Sequence, residues 1–473
     1  MRENPFRQER EEMKQLLKEY YNFKLGKKFN FIEEEAFERI IDYFDENENL
    51  ALAMEAANFA TDQFPYSASL LIKKADILIA SQHYSEALDV LEKAEIFDHT
   101  DVNIYILKTD VYLALDLHEK AASLLEEALL TFEGEEKIEM LFELADVYDD
   151  YENFNKVFDC LKLLLEQDPT NEEALYKICF WTDFTNRNEE SIALHQEIIN
   201  EHPYCQLAWF NLGAAYQGEK LYEKSIDAYL YAVAIDEKFD FAYRNLGDAY
   251  LRLRKYKDAI EVLQKVLELS MPEGVIFEAI GHCYEKLKNP AQARFHYRKA
   301  VHLNDLDSHL YYKIALTYVL ENQWESAIKN LNSALSIHRN KPDFHLALAL
   351  CYSEIDKTKE AVLHFSQFIK MRPKNVKGWK ELIKFLYQAD YLEDALTQVK
   401  NAQISTNDKP IFLFYRAAIL FALGKSKEAL LFLETGLKQA PNLVKQMIQL
   451  DSSLLQNYSI IELIIASKPA KRK

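Results

Sequence analysis

Three sets of residues in this 473-residue sequence have types and spacings that could do chemistry. His282 and His309, with Asp248 a repeat length earlier, are ligand types for a divalent metal. A second set is a row of carboxylates, Asp42, Asp76, Asp110 and Asp146, at near-constant intervals, accompanied by Asp45, Asp149 and Asp183 and by Glu35, Glu38 and Glu139. The third is a row of cations, Lys377, Lys380 and Lys384, spaced to share one face of a helix. Between the acidic and basic rows stand the aromatics Phe142, Tyr176, Phe180, Phe210, Phe241 and Tyr312.

None of these sets makes a catalytic constellation. The chain has no G-x-S-x-G elbow, no H-E-x-x-H pair and no phosphate-cradling Walker loop. Cys160, Cys179, Cys205, Cys283 and Cys351 are scattered without a C-x-x-C pair, which reads as reduced thiols in a core. With 12 histidines spread along the chain, the His282–His309–Asp248 grouping reads as coincidence, and His195 and Trp181 read as packing residues. No metal or other cofactor is expected, and the function to look for is binding.

Composition narrows what is bound. Glycine (10) and proline (11) are scarce, which suits helices joined by short links better than a turn-rich fold. A net charge of −20 argues against a nucleic-acid binder, whose affinity rests on neutralising phosphates. The charge is also polar along the chain. Residues 1–205 carry 46 acids against 19 bases, and residues 206–473 carry 30 against 37. The start, MRENPFRQEREEMKQ, has no apolar stretch like that of a signal peptide, and no run approaches the roughly 18 apolar residues of a membrane span. A cytoplasmic protein without membrane insertion is expected.

A repeat must position these residues. The segment YRNLGDAYLRLRKYKDAI at Tyr243 has counterparts 34 residues away on either side, beginning at Trp209 and Phe277. Frames of 34 residues start at 34, 68 and 102, then, after the two-residue insertion Glu136-Lys137, at 138, 172, 206, 240, 274, 308, 342, 376 and 410. Position 8 of the frame is small (Ala75, Gly213, Gly247, Gly281, Ala315), and position 20 is almost always alanine or serine. Small residues at these two points let two helices approach closely, so Gly247 belongs to packing and not to a phosphate loop. Prolines agree: Pro65, Pro169, Pro203, Pro373 and Pro441 share position 32, and Pro272, Pro342 and Pro410 fall within three positions of it. Pro290 falls where a second helix would begin, and all of these are boundaries a proline tolerates.

The order aromatic, apolar, small, aromatic, then alanine, resembles the tetratricopeptide repeat (TPR), a helix-turn-helix unit. The resemblance covers residues 34–443 and implies an all-α fold: a right-handed α-α superhelix, a TPR solenoid of about twelve repeats with terminal capping helices. Residues 1–33 are expected to hold an N-terminal cap (Phe6 to Leu25), and 444–467 two C-terminal capping helices, Val444–Leu450 and Leu454–Ala466, the second capped by Asp451 or Ser452. Residues 468–473 form a basic tail. In the family, partner segments lie along a groove lined by the first helix (helix A) of each repeat, on positions 2, 5, 9 and 12. The acidic, aromatic and basic sets all fall on those positions, and Arg244 and Asp248 mark the seam between acidic and basic ends. Co-chaperones of the family carry lysine at position 5 with asparagine at position 9; no repeat here has that asparagine, so chaperone-tail binding is not expected.

The reading is a non-enzymatic scaffold that binds a basic, apolar protein segment in its groove, as a monomer or weak homodimer. The alternative is a regulatory or targeting subunit of an enzyme or secretion machine, engaged through the opposite face or the C-terminal helices.

Overall fold

A computed structural model describes residues 5–25 and 31–467; the basic tail at 468–473 lies outside the described residues. The chain divides into two compact units, residues 1–249 and 250–473, and passes from one to the other within helix Asp240–Arg252. No strand occurs among the described residues.

The first unit opens with helix Pro5–Lys24, whose Tyr20 is fully buried in a core with Phe37, Ile40 and Phe44 of repeat one. This helix covers the face of repeat one opposite repeat two with apolar side chains. Six helix pairs follow: Glu34–Glu46 with Leu50–Gln63, Ala68–Ala80 with Tyr84–Phe97, Val102–Ala114 with His118–Ala128, Gly134–Asp150 with Phe154–Gln167, Glu172–Thr185 with Asn188–Glu201, and Gln206–Gly218 with Tyr222–Ile235. One core runs from Leu71 to Ala242 through the last five of them. The insertion Glu136-Lys137 is absorbed by an early start: helix A of repeat four begins at Gly134 (φ +65°) and runs 17 residues.

The second unit begins with helix B of repeat seven, Tyr256–Leu269. Five pairs follow it: Gly274–Lys286 with Pro290–Leu303, Ser308–Leu320 with Trp324–Ile337, Pro342–Glu354 with Thr358–Met371, Val376–Gln388 with Leu392–Ser405, and Ile411–Ala422 with Ser426–Gln439. After them come helix Val444–Leu450, a 3-10 turn at Ser452–Gln456 and helix Tyr458–Ala466. The last helix starts four residues later than the sequence suggests. Asp451 accepts from Ser453 N at 2.8 Å and caps the 3-10 turn, whereas Asn457 accepts from Ser459 N at 3.1 Å and caps the helix.

Two devices recur along the array. In ten of the twelve hairpins a small residue at position 8 faces helix B, Ile41 and Ile383 being the exceptions. A Cβ on Gly213 would lie 2.6 Å from the ring of Tyr229, and one on Gly281 would lie 2.6 Å from Tyr297, so these two glycines make room for a tyrosine at position 24 where four other repeats pair alanine with leucine. The other device is the turn. Position 15 sits at positive φ, between 56° and 75°, at Glu48, Gln82, Asp116, Glu152, Asn186, Lys220, Arg254, Lys288, Asn322, Asp356, Asp390 and Gly424. The next N–H then reaches back over the helix end, as Asn49 N to Phe44 O at 2.9 Å and His83 N to Leu78 O at 2.8 Å. This left-handed cap satisfies carbonyls at the end of helix A, and only the twelfth repeat fills it with glycine.

Position 24 of repeat five is His195, fully buried. Its Nδ1 donates to Ser191 O at 2.7 Å, and its Nε2 accepts from Asn211 Nδ2 at 3.1 Å, which fixes a neutral ring. Asn211 Nδ2 also donates to Leu175 O at 2.7 Å. Burial holds the His195 pKa down at about 4, opposed by its bond to Ser191. The thiols of Cys160, Cys179, Cys283 and Cys351 are pushed by burial to about 11 or 12, so they are inert at neutral pH.

Candidate protein-binding faces

In the first unit the A helices bring the acidic row together. Asp42 (position 9 of repeat one) receives Lys73 of repeat two at 2.5 Å, and Asp146 of repeat four receives Lys177 of repeat five at 3.5 Å. Glu38 accepts from Ser69 of the next repeat. Asp76, Asp110 and Glu143 all have raised pKa values. Burial is the largest cause for each; Asp45 and Asp42 add to it at Asp76, Asp76 at Asp110, and Asp110, Asp146 and Glu139 at Glu143. Lys73 and Lys177 oppose the shift at Asp76 and Glu143. Asp76, Asp110 and Glu143 thus each feel a carboxylate of the preceding repeat on top of the cost of burial. Asp45, Asp149 and Asp183 are exposed beside it, as are Glu35 and Glu139. Glu143, at position 6, joins the row although the frame assigns that position to no groove; its link to the row is visible only once the A helices are stacked.

The aromatic set divides in two. On helix Glu172–Thr185, Tyr176, Phe180 and Phe184 stand 58–60% exposed at four-residue spacing. Phe180 and Phe184 stack with centroids 6.0 Å apart, and Trp181 and Phe154 support them at 4.9 and 4.8 Å. Phe184 was missed because position 13 lies one residue beyond the face read from sequence. Phe241 is also exposed. By contrast, Phe142 and Phe210 are half-buried: Phe142 lies under Lys177 Nζ at 5.0 Å, and Phe210 packs on Tyr229 and Phe239 at 5.7 and 5.0 Å. Arg244 bonds Asp240 at 3.3 Å, and Asp248 accepts from Gln217 of the preceding repeat at 2.9 Å.

Lys177 shows what this surface does with a cation. It sits over the Phe142 ring with Glu173 at 3.1 Å and Asp146 at 3.5 Å, an aromatic face combined with two carboxylates. Such a setting favours a positive charge through ring quadrupole and ion pair together.

In the second unit, Tyr312 packs on Phe344 at 5.0 Å and against His309 at 6.0 Å, so it is part of the stack and not an open anchor. Lys377 and Lys384 are exposed, whereas Lys380 donates to Gln446 of the C-terminal helix at 2.9 Å. No group of three or more His, Cys, Asp or Glu converges on a metal-sized site among the described residues. None of the described helices is long and apolar enough to cross a membrane.

Stacked pairs of this kind with a variable A-helix face define a repeat-array protein. Models of the tetratricopeptide repeat match residues 207–239, 240–271 and 276–305, so this stretch of the chain carries tetratricopeptide repeats. Among curated relatives, anaphase-promoting complex subunit 3 of Schizosaccharomyces pombe is 22% identical over 43% of this chain and 30% of its own length. BBSome complex member BBS4 of Bos taurus is 22% identical over 64% of this chain and 53% of its own. The chain therefore spans about a third to a half of these relatives. Among solved structures, the C-terminal part of a TPR repeat-containing protein from Cytophaga hutchinsonii is similar at 15% identity, over 54% of this chain and 99% of that one, with a TM-score of 0.44.

Proposed function

We propose that this protein is a non-catalytic scaffold whose first unit binds a basic, apolar segment of a partner protein. The observation that carries the reading is the strained row Asp76–Asp110–Glu143, lying one repeat from the exposed rings of Tyr176, Phe180 and Phe184. A lysine or arginine laid along the row relieves the mutual repulsion, and apolar residues beyond it dock on the rings. Lys177 over Phe142 is the same interaction made internally. Curated relatives named as members of multi-protein complexes support a scaffold role in general.

The test is recovery of partners from lysate with the wild type beside Asp76→Lys/Asp110→Lys/Asp146→Lys and, separately, Phe180→Ala. Partners of the acidic row are lost from the triple variant and released from the wild type by rising salt. Identical recovery by all three proteins removes the first unit as the site. The alternative, a subunit held through the C-terminal helices, draws on the exposure of Leu455, Tyr458 and Ile465 there. Deleting residues 454–473 separates the two, since binding along the acidic row survives that loss.

A further inference from the structure

In repeats one to eleven, the groove positions 5 and 9 of helix A are half-buried or open. In repeat twelve both, Phe414 and Ala418, are fully buried. The chain's own continuation encloses them. Helix Val444–Leu450 lies on helix Ile411–Ala422, and Met447 and Leu454 share a core with Phe414, Ala417 and Ala418. Two polar tethers reach one repeat further back: Lys380 Nζ donates to Gln446 Oε1 at 2.9 Å, and Tyr387 OH donates to Asp451 Oδ2 at 2.6 Å. Lys380 and Tyr387 are positions 5 and 12 of repeat eleven, the positions a partner would touch.

The seated segment keeps the repeat frame, since 444 follows 410 by 34, but it is not a full repeat. Its helix stops after 7 residues, where the A helices of the array run 12 to 17. A helix that short has no stability of its own and is held by its seat. It is also a mediocre ligand for that seat. Lys380 meets the neutral amide of Gln446, and the segment carries a cation of its own, Lys445, where the helix it faces carries Lys377 and Lys384. Its one carboxylate, Asp451, is the group that Tyr387 takes.

We propose that the A-helix face of repeats eleven and twelve is a second peptide-binding site, occupied in cis by residues 444–451, whose partner is an acidic segment with two apolar residues three apart followed by a carboxylate. The partner repeats the pattern Met447, Leu450, Asp451 and improves on it with a carboxylate where the chain has Gln446, turning a neutral hydrogen bond to Lys380 into a charge-assisted one. Binding displaces the C-terminal segment. This site is independent of the acidic row of the first unit.

The probe is a fluorescent synthetic peptide of residues 442–457, made with the native sequence and with Lys445→Glu/Gln446→Glu, titrated into the full chain and read by anisotropy. The acidic peptide is expected to bind about tenfold more tightly than the native one. Full-chain Met447→Glu, which empties the seat, is expected to bind both about tenfold more tightly than the wild type does. Adding Lys380→Met/Tyr387→Phe to that variant should abolish the gain. Hydrogen exchange over residues 376–439 shows whether the variant keeps repeats eleven and twelve folded. If it does not, Gln446→Ala/Asp451→Ala removes only the tethers and should raise affinity severalfold. Three results overturn the proposal: no binding by a folded, unseated variant; binding that Lys380→Met/Tyr387→Phe leaves unchanged; or a wild-type dimer that the peptide dissociates, which would put a second copy in the seat.

Discussion

The A-helix face of the first unit and that of repeats eleven and twelve are built from the same frame positions but are left in opposite states. In the first unit, burial and then neighbouring carboxylates raise the pKa values of Asp76, Asp110 and Glu143, and three rings stand open on repeat five. In repeats eleven and twelve the face is satisfied: Phe414 and Ala418 are covered, and Lys380 and Tyr387 have partners from the C-terminal segment. Position 20 is alanine or serine in both units, with Val157 the one exception, so this packing position does not dictate what the face carries. A repeat protein can therefore hold one face in repulsion, ready for a foreign charge, while covering another with its own chain. Stability measurements can separate these states without knowledge of any partner.

The largest effect belongs to the first unit and concerns pH. His195 is neutral in the fold with a pKa of about 4, against about 6.5 in an unfolded chain. Between those values the unfolded chain takes up a proton that the folded one refuses. Stability is therefore complete above pH 6.5 and falls by up to about 3 kcal/mol as pH drops through the window to 4. The carboxylates act in the other direction. Burial, and after it neighbouring carboxylates, makes Asp76, Asp110 and Glu143 titrate above their ordinary values when folded, so acidification from neutral removes a buried, repelled charge and strengthens the same unit. His195→Leu, the leucine that position 24 carries in several other repeats, should remove the loss between pH 6.5 and 4, while the paired Glu126 and Glu190, held low by Lys156 and Arg187, still lose stability at lower pH. Hydrogen exchange of helices Glu172–Thr185 and Gln206–Gly218 against pH measures it; an unchanged acid loss in the variant means that His195 is not its source.

Next in size is a pair of substitutions that should not distinguish the units. Gly213→Ala in the first and Gly281→Ala in the second each force a Cβ to within 2.6 Å of a buried tyrosine ring. Each should cost about 1–3 kcal/mol by overpacking. Gly213→Ala/Tyr229→Leu restores the alanine–leucine combination of Ala75 with Leu91 and should recover most of the loss in thermal melts. A neutral single variant would show that helix B is free to retreat.

These residues also show what could be read from sequence. Twelve repeats and their small positions were legible because packing recurs every 34 residues, and recurrence amplifies a weak signal. The left-handed turn was not, since Glu48, Gln82, Lys220 and Arg254 share no type; the frame imposes the conformation, and side chains only tolerate it. Of the candidate faces, the acidic row was legible because it repeats. Phe210 and Tyr312 fell at exposed frame positions yet pack on neighbouring rings, which periodicity alone cannot foresee. The seat of the C-terminal segment was hidden for a different reason. Lys380 and Gln446 are 66 residues apart, and a single contact outside the period leaves no pattern.

Charge removal sharpens the comparison at a smaller scale. Asp110→Asn takes one charge from a repelling row and should stabilise the first unit by about 0.5 kcal/mol, the scale of an exposed charge interaction. Lys380→Met removes the donor to Gln446 and should destabilise repeats eleven and twelve by about 1 kcal/mol. Opposite signs in denaturant melts, with local exchange to place them, are the expected result. The same sign for both would mean that the two faces are not held in different states.

The smallest effect tests whether the turn is a uniform cost across both units. Lys220 and Lys288 occupy position 15 at φ +61° and +57°, where a side chain crowds the following carbonyl by about 1–2 kcal/mol. Glycine removes that strain but gives the unfolded chain more freedom, worth about 0.4–1 kcal/mol. Lys220→Gly and Lys288→Gly should therefore each stabilise by about 0.5 kcal/mol, with no difference between units. Asn186→Gly and Asn322→Gly should gain less, because asparagine already tolerates this region. Gly424 supplies the reverse experiment. A Cβ there meets nothing within 4 Å, so any loss in Gly424→Ala reports backbone conformation alone. If Gly424→Ala is neutral, the turn of repeat twelve relaxes out of the left-handed region when challenged, and the turn is not a fixed cost of the frame.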